Sequence, residues 1–342
     1  MSKIGVLGAG TWGMALARML YNSGHEVAVW SAIEKEIEEF SQTRRHPNLP
    51  EMAIPDGIVF TKNMELACRN QDILLFAVPS VFVRTTARKA APYIADGQII
   101  VDVAKGIETD TLMTMTQVIE DELDNPTVKL VALSGPTHAE EVARDLPTTI
   151  VSACEDATAA AFVQQVFSNS CMRVYTNDDV LGVELCGAMK NIIALASGVA
   201  TGLGYGDNTK AALITRGIAE ISRLGMAMGC KEQTFGGLAG VGDLIVTATS
   251  LHSRNNRCGM LLGQGLSVEE AVKKVGMVVE GLNALPAALR LKEKYAVKMP
   301  IVNAVDALVN HGAAPAETVR MLMERDMKPE LPPSALNNQY ES

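Results

Sequence analysis

Aromatic residues are scarce in this 342-residue chain, at 4%, and only two of them are tryptophan. A core so poor in rings must be filled by Ala, Leu, Val and the 17 methionines, and the 28 glycines let helices and backbones approach closely. Basic residues are outnumbered, 30 against 39 acidic, for a net charge of −9. That balance argues against a general nucleic-acid binder or a membrane-surface protein, yet it leaves room for a local basic pocket that holds an anionic substrate. The six cysteines (Cys68, Cys154, Cys171, Cys186, Cys230 and Cys258) form no C-x-x-C pair and have no His pair at metal-ligand spacing. They read as small buried hydrophobes in a reducing compartment, and no metal is expected. No uninterrupted apolar run is long enough to cross a bilayer. Met1-Ser2-Lys3 leads straight into an apolar strand and a glycine turn without a cleavage pattern, so the expected location is the cytoplasm.

What the chain does have is a regular alternation. Short runs dense in Val, Ile and Leu occur at Ile4–Leu7, Glu26–Trp30, Ile58–Phe60, Ile73–Val78, Gln98–Val103, Leu130–Leu133, Thr149–Ser152 and Arg173–Tyr175, with helical stretches between them. Continuous apolar runs of this kind mark strands covered on both faces, and strands interleaved with helices imply a parallel, doubly wound sheet. From Asn177 onward the pattern turns helical, with Asp178 or Asp179 as the cap of a long helix through Val183 to Val199. The expected fold is α/β: a Rossmann-type, doubly wound, mostly parallel sheet over residues 1–176, then an all-helical catalytic domain over 177–326. A polar, proline-bearing tail follows over 327–342.

Gly8-Ala9-Gly10-Thr11-Trp12-Gly13 is G-x-G-x-x-G between a predicted strand and a predicted helix, the context that turns a weak motif into a dinucleotide site. Gly8 permits the tight turn, Gly10 the approach of a pyrophosphate, and Gly13 the close packing of helix on strand. The second strand ends in Ser31-Ala32, with neither the acid that would grip an NAD ribose nor an arginine. NAD or NADP use is therefore open, with a slight lean to NADPH. Ala77-Val78-Pro79-Ser80, Lys105-Gly106 and Ser134-Gly135-Pro136-Thr137-His138-Ala139 follow later strands, at the edge where ligands of such sheets gather. Lys105 alone would be a solvated loop lysine, but the adjacent glycine allows a ligand to come close. His138 reads as structural or peripheral.

In the second half, Glu184 and Lys190 are the only charges in the apolar run from Leu181 to Ala200. Gly187 and Ala194 share a helical face with Lys190, so its amine is desolvated and its pKa lowered, which suits a general acid and base. The competing reading is a snorkelling lysine paired with Glu184. Gly240-Val241-Gly242-Asp243 places a carboxylate after a glycine-rich turn, and Ser253-Arg254-Asn255 reads as the cap and first turn of a helix, a natural phosphate site.

Through these segments the whole chain, from about residue 3 to 325, resembles the NAD(P)-dependent glycerol-3-phosphate dehydrogenases of the bacterial biosynthetic type. The specific parts are Val183-Glu184-Leu185-Cys186-Gly187-Ala188-Met189-Lys190-Asn191, Ser253-Arg254-Asn255 and Val279-Glu280-Gly281. The resemblance implies reversible reduction of dihydroxyacetone phosphate to sn-glycerol 3-phosphate, with the product supplying glycerophospholipid synthesis. It implies Lys190 as proton donor and acceptor, with Lys105, Gly135, Thr137, Asp243, Ser253, Arg254 and Asn255 at the substrate and Thr247 contributing. Thr11, Trp12, Lys105, Ala139, Arg254, Val278 and Glu280 fall on cofactor positions, beside Gly8, Gly10 and Gly13. His138 replaces the family's usual Phe, and the family's basic residue is missing after the second strand. A homodimer is the default assembly. Two rival readings are a two-domain hydroxyacid or ketopantoate reductase, and a regulatory protein that binds the cofactor without consuming it.

Overall fold

The computed structural model describes residues 1–327, 329 and 330, so most of the expected tail lies outside the described residues. Ten strands occur in the first half: β1 (Lys3–Leu7), β2 (Glu26–Trp30), β3 (Arg45–His46), β4 (Leu49–Ala53), β5 (Val59–Thr61), β6 (Ile73–Phe76), β7 (Ile99–Asp102), β8 (Lys129–Ser134), β9 (Thr148–Ala153) and β10 (Met172–Asn177). Eight of them form one sheet in the order β10-β9-β8-β7-β6-β1-β2-β5, and β3 and β4 make a separate antiparallel hairpin. From β5 to β8 every neighbouring pair is parallel. The β8–β9 pair is antiparallel, so β9 and β10 run opposite to the rest.

The chain order reverses direction in space between β1 and β6, and the crevice at that switch point is where such sheets take their ligands. Alternate residues of each strand enter different cores. Ile4, Val6, Ile73 and Leu75 pack on one face with Met14, Leu16, Val163 and Phe167 from the Thr11–Asn22 and Ala157–Phe167 helices. Leu7, Leu74, Phe76 and Ile100 pack on the other with Val83, Ala87, Val118 and Ile119 from the Val83–Ala90 and Met115–Leu123 helices. Burial on both faces is why these strands read as unbroken apolar runs.

The second half is helical and is organised around Val180–Gly202. Asp179 caps this helix by accepting from Gly182 N at 2.9 Å, and its other oxygen accepts from Lys231 N and Thr234 Oγ1. With a mean hydropathy of 1.5 the helix is long and apolar enough to cross a membrane, yet 83% of its most apolar stretch is buried among its neighbours. Glycine sets the closest of those contacts. A Cβ on Gly198 would stand 2.1 Å from Asn256 O, and one on Gly259 would stand 2.1 Å from Leu195 O. Gly202 and Gly263 repeat the arrangement one turn further along, so two small-xxx-small faces bring the Arg254–Gly263 helix into backbone contact with the central one. This crossing fixes where the first turn of the Arg254–Gly263 helix sits relative to Lys190.

Candidate active site

The three glycines of the β1 turn have separate physical reasons. Gly8 has φ +123°, and a Cβ there would lie 2.6 Å from Ala77 O. A Cβ on Gly13 would lie 2.4 Å from Gly8 O, so this glycine lets the helix sit against the turn. Gly10 caps the Thr11–Asn22 helix, and a Cβ there would meet nothing within 4 Å, which leaves open space in front of the helix amides. Trp12 and Ala139 pack against one apolar core beside this turn. Thr11 Oγ1 accepts from Asn48 Nδ2 at 3.2 Å, which ties the β3–β4 hairpin to the helix start.

The β2 edge differs from the sequence expectation. Ser31 ends the strand without an adjacent acid, but the Glu34–Thr43 helix turns back so that Ser31 Oγ donates to Glu36 Oε2 at 2.6 Å. A carboxylate therefore does stand at this edge, delivered from the following helix.

Further along the sheet edge, the loops after β7 and β8 meet the helical half. Lys105 Nζ donates to Gly135 O and Thr137 Oγ1, both at 3.2 Å, and to Asp243 Oδ2 at 2.7 Å. The Lys105 stem crosses the central helix at Gly187, where a Cβ would sit 3.4 Å from Lys105 Cγ, an ordinary contact distance. Lys190 Nζ donates to the other oxygen of Asp243 and to Thr247 Oγ1 at 2.6 Å. Thr247 in turn donates to Asp243 O at 2.7 Å. Asp243 opens the Asp243–Thr249 helix after a π-helical turn over Leu238–Gly242, so the glycines anticipated before it are wound rather than looped.

Asp243 is fully buried between two ammonium groups. Burial works to raise its pKa, but Lys105 and Lys190 together hold it below the ordinary carboxylate value. Lys190 goes the other way, lowered to about 7, first by burial and then by Lys105, with Asp243 opposing. The two directions are compatible, because one carboxylate charge is shared between two cations and compensates only one of them in full. Lys105 keeps some contact with solvent, so the buried Lys190 bears the deficit. The pairing of Lys190 with Glu184 does not occur. Glu184 instead accepts from Thr114 Oγ1 at 2.7 Å and Thr116 N at 2.8 Å, which pins the Lys190 helix to the first half.

Ser253 is the cap of the Arg254–Gly263 helix and takes the Asn256 amide at 3.2 Å. The amides of Arg254 and Asn255 have no acceptor within the helix and are left for an external anion. The Asn255 side chain is largely committed elsewhere: Nδ2 donates to Asn191 Oδ1 at 2.9 Å and Oδ1 accepts from Gly281 N at 2.8 Å. It ties together three helices and keeps one amide hydrogen for a ligand. Glu280 is reached by Ser80 Oγ at 3.1 Å, which closes the helical half over the turn after β6. Burial raises the Glu280 pKa. Val278, two residues before it, is 42% exposed at the same rim. A cavity of about 260 Å³ lies here, lined by Ser80, Gly106, Ile107, Met115, Glu280 and Asn283. A larger one of about 620 Å³, between Pro147, Gln164, Met172 and Tyr175, is lined by no lysine or carboxylate.

Three buried polar atoms lack a partner among the described residues: Asp102 Oδ1, Ser134 Oγ and His138 Nε2. Asp102 ends β7, Ser134 ends β8 and His138 follows, so all three flank the Lys105–Thr137 contact. Orphaned groups at one edge, with an open glycine turn beside them, fit a site that receives polar ligands. Sequence reasoning singled out neither the first of these atoms nor the pairing of His138 with His252, whose rings stand 5.7 Å apart.

A family model described as NAD-dependent glycerol-3-phosphate dehydrogenase N-terminus matches residues 3–160, and one described as the C-terminus of the same dehydrogenase matches residues 179–320. Over 335 residues the chain is 68% identical to glycerol-3-phosphate dehydrogenase (NAD(P)+) 2 of Lactobacillus delbrueckii subsp. bulgaricus, covering 97% of this chain and 99% of that protein. It is 54% identical over 329 residues to glycerol-3-phosphate dehydrogenase (NAD(P)+) of Agathobacter rectalis, covering 96% and 97%. A crystal structure of glycerol-3-phosphate dehydrogenase from Coxiella burnetii superposes with a TM-score of 0.90 at 34% identity, over 95% of this chain and 99% of that one.

Proposed function

The chain belongs to the NAD-dependent glycerol-3-phosphate dehydrogenase family, and from that premise we propose how its own residues carry the reaction. It is an oxidoreductase that reduces dihydroxyacetone phosphate to glycerol 3-phosphate, reversibly, with NADH or NADPH. That activity leaves no place for the reading as a regulatory binder or as a reductase of hydroxyacids or ketopantoate.

A nicotinamide cofactor, held at the Gly8–Gly13 turn, would supply the hydride for reduction of the central carbonyl. Lys190 Nζ gives a proton to the carbonyl oxygen as negative charge develops there, and the neutral amine takes that proton back in the oxidation direction. Asp243 holds Lys190 and Lys105 in fixed positions, and Lys105, anchored on Gly135 and Thr137, adds positive charge beside the oxygen. Thr247 accepts from Lys190 and so aims one of its protons away from the substrate. The Arg254 guanidinium and the amides behind the Ser253 cap receive the phosphate, with the last hydrogen of Asn255 Nδ2. Gly8, Gly10, Thr11, Trp12 and Gly13 hold the dinucleotide, with Ala139, Val278 and Glu280 around it. The observation that carries this reading is a buried lysine beside a buried carboxylate shared with a second lysine, an arrangement that lowers the pKa of its amine.

We further assign residues 1–176 as the dinucleotide-binding domain and 177–326 as the helical catalytic domain, with the site built from side chains of both. A homodimer in the cytoplasm whose product supplies glycerophospholipid synthesis completes the proposal.

The test follows NADH and NADPH absorbance with dihydroxyacetone phosphate and with unphosphorylated dihydroxyacetone. Oxidation that needs the phosphate is the expected result. Arg254→Gln should raise KM for dihydroxyacetone phosphate about thirtyfold, the loss of roughly 2 kcal/mol for a charge-assisted contact. Equal rates with both ketones, or an unchanged KM in the variant, would remove the phosphate role from this helix start.

A further inference from the structure

The reaction accepts two cofactors that differ by one phosphate on the adenosine ribose, and the β2 edge bears on which of them this chain uses. The place is fixed by the glycine turn rather than by the acidity of the next helix. Gly8 N donates to Trp30 O at 2.9 Å, so the end of β2 is stitched directly to the turn that takes the pyrophosphate. In a sheet of this order the ribose lies over that strand end, and the group standing there meets the 2′ position.

Ser31 occupies the strand end and is buried, at 4% exposure. Its hydroxyl accepts from Ile33 N at 3.1 Å and donates to Glu36 Oε2 at 2.6 Å. One carboxylate oxygen is thereby held on Ser31, and the other is free to accept. A ribose 2′-hydroxyl can donate to it, whereas a 2′-phosphate has no proton to offer and carries its own negative charge.

Most of the cations that could offset that repulsion are turned elsewhere, and Lys35, exposed beside Glu36 on the same helix, is a single charge among four carboxylates. Position 32 is alanine. Lys62 is paired with Glu34. Arg44 donates to Ile58 O at 3.0 Å and lies over the Phe60 ring, and Arg45 donates to Pro50 O at 3.3 Å. Glu38 and Glu39 add further negative charge on the same helix. Resting on the dehydrogenase reading above, we propose that Glu36, held by Ser31, makes this enzyme select NADH over NADPH. The lean to NADPH rested on an empty strand end, and in space that end carries an acid.

The experiment measures kcat/KM for NADH and for NADPH at saturating dihydroxyacetone phosphate, in the wild type, Glu36→Gln and Ala32→Arg. The wild type should favour NADH by on the order of 100-fold, the scale of a like-charge clash at a binding site. Glu36→Gln should cut that ratio about tenfold or more, through the cofactor KM, and Ala32→Arg should raise kcat/KM for NADPH. If Glu36 only serves its helix start, its variant lowers both cofactors together and leaves the ratio unchanged, which overturns the proposal. Equal use of both cofactors by the wild type overturns it as well. Oxidation of neither cofactor would instead sink the functional reading on which this rests. A measurement on the unaltered protein guards against a variant that fails to fold: AMP should compete with NADH more strongly than 2′,5′-ADP, and the reverse order contradicts the proposal.

Discussion

Methionine in place of Lys190 should lower kcat for reduction by two to four orders of magnitude, the range set by loss of a positioned general acid. The substitution keeps most of the side-chain volume and leaves the helix's other polar contacts, at Glu184 and Asn191, untouched. Asp243 loses one ammonium but keeps Lys105 at 2.7 Å, so no buried carboxylate is left without a cation. Removing one partner of an isolated buried pair costs several kcal/mol, and the shared arrangement here avoids that outcome. The melting temperature should therefore stay near the wild-type value while turnover collapses. Circular dichroism melting and steady-state rates on the same preparation check both halves. Turnover within a few-fold of wild type would remove Lys190 from proton transfer. A collapse of folding would mean that Asp243 needs both lysines to remain buried.

Valine at Gly259 should be among the most destabilising single changes in the helical half, by about 4 kcal/mol or more. Its Cβ would meet Leu195 O at 2.1 Å, Val199 N at 2.9 Å and Gly198 Cα at 3.0 Å. All three are backbone of the central helix, so no rotamer change relieves the clash and the helices must separate. Separation lifts the first turn of the Arg254–Gly263 helix away from Lys190, so any folded fraction should bind dihydroxyacetone phosphate more weakly. Urea unfolding followed by circular dichroism reads the first effect and KM reads the second. A wild-type midpoint and KM would mean that the two helices tolerate a wider spacing, and that their crossing does not set the site.

Much of the sheet was legible because strands buried on both faces leave unbroken Val, Ile and Leu runs, as in Ile73–Phe76 and Ile99–Asp102. The β3–β4 hairpin was not, since Arg45, Pro47, Asn48 and Pro50 give it the composition of a loop. The reversed direction of β9 was equally hidden: Thr148–Ala153 is buried like its parallel neighbours, and composition does not encode strand polarity. In the site, Lys190, Asp243 and Lys105 could each be singled out, but not their sharing of one carboxylate, because contacts across 53 and 138 residues leave no local trace. Glu184 looked like a partner for Lys190 only while Thr114 and Thr116, in the other half of the chain, were out of view. Glu36 was missed for a related reason. It lies beyond the end of β2 in sequence and returns to that edge only because the next helix folds back over Ser31.

The central claim is that Lys190 moves the proton with a pKa set near 7 by burial and by a carboxylate it has to share. The most direct test is the pH dependence of kcat/KM for the wild type in both directions, because that ratio reports the groups of the free enzyme. Reduction needs the ammonium form, so its kcat/KM should fall as pH rises through about 7. Oxidation needs the neutral amine, so its kcat/KM should rise through the same region, and the two curves should cross as mirror images. Profiles that stay flat in both directions between about pH 6 and 9, with chemistry rate-limiting, would contradict the account.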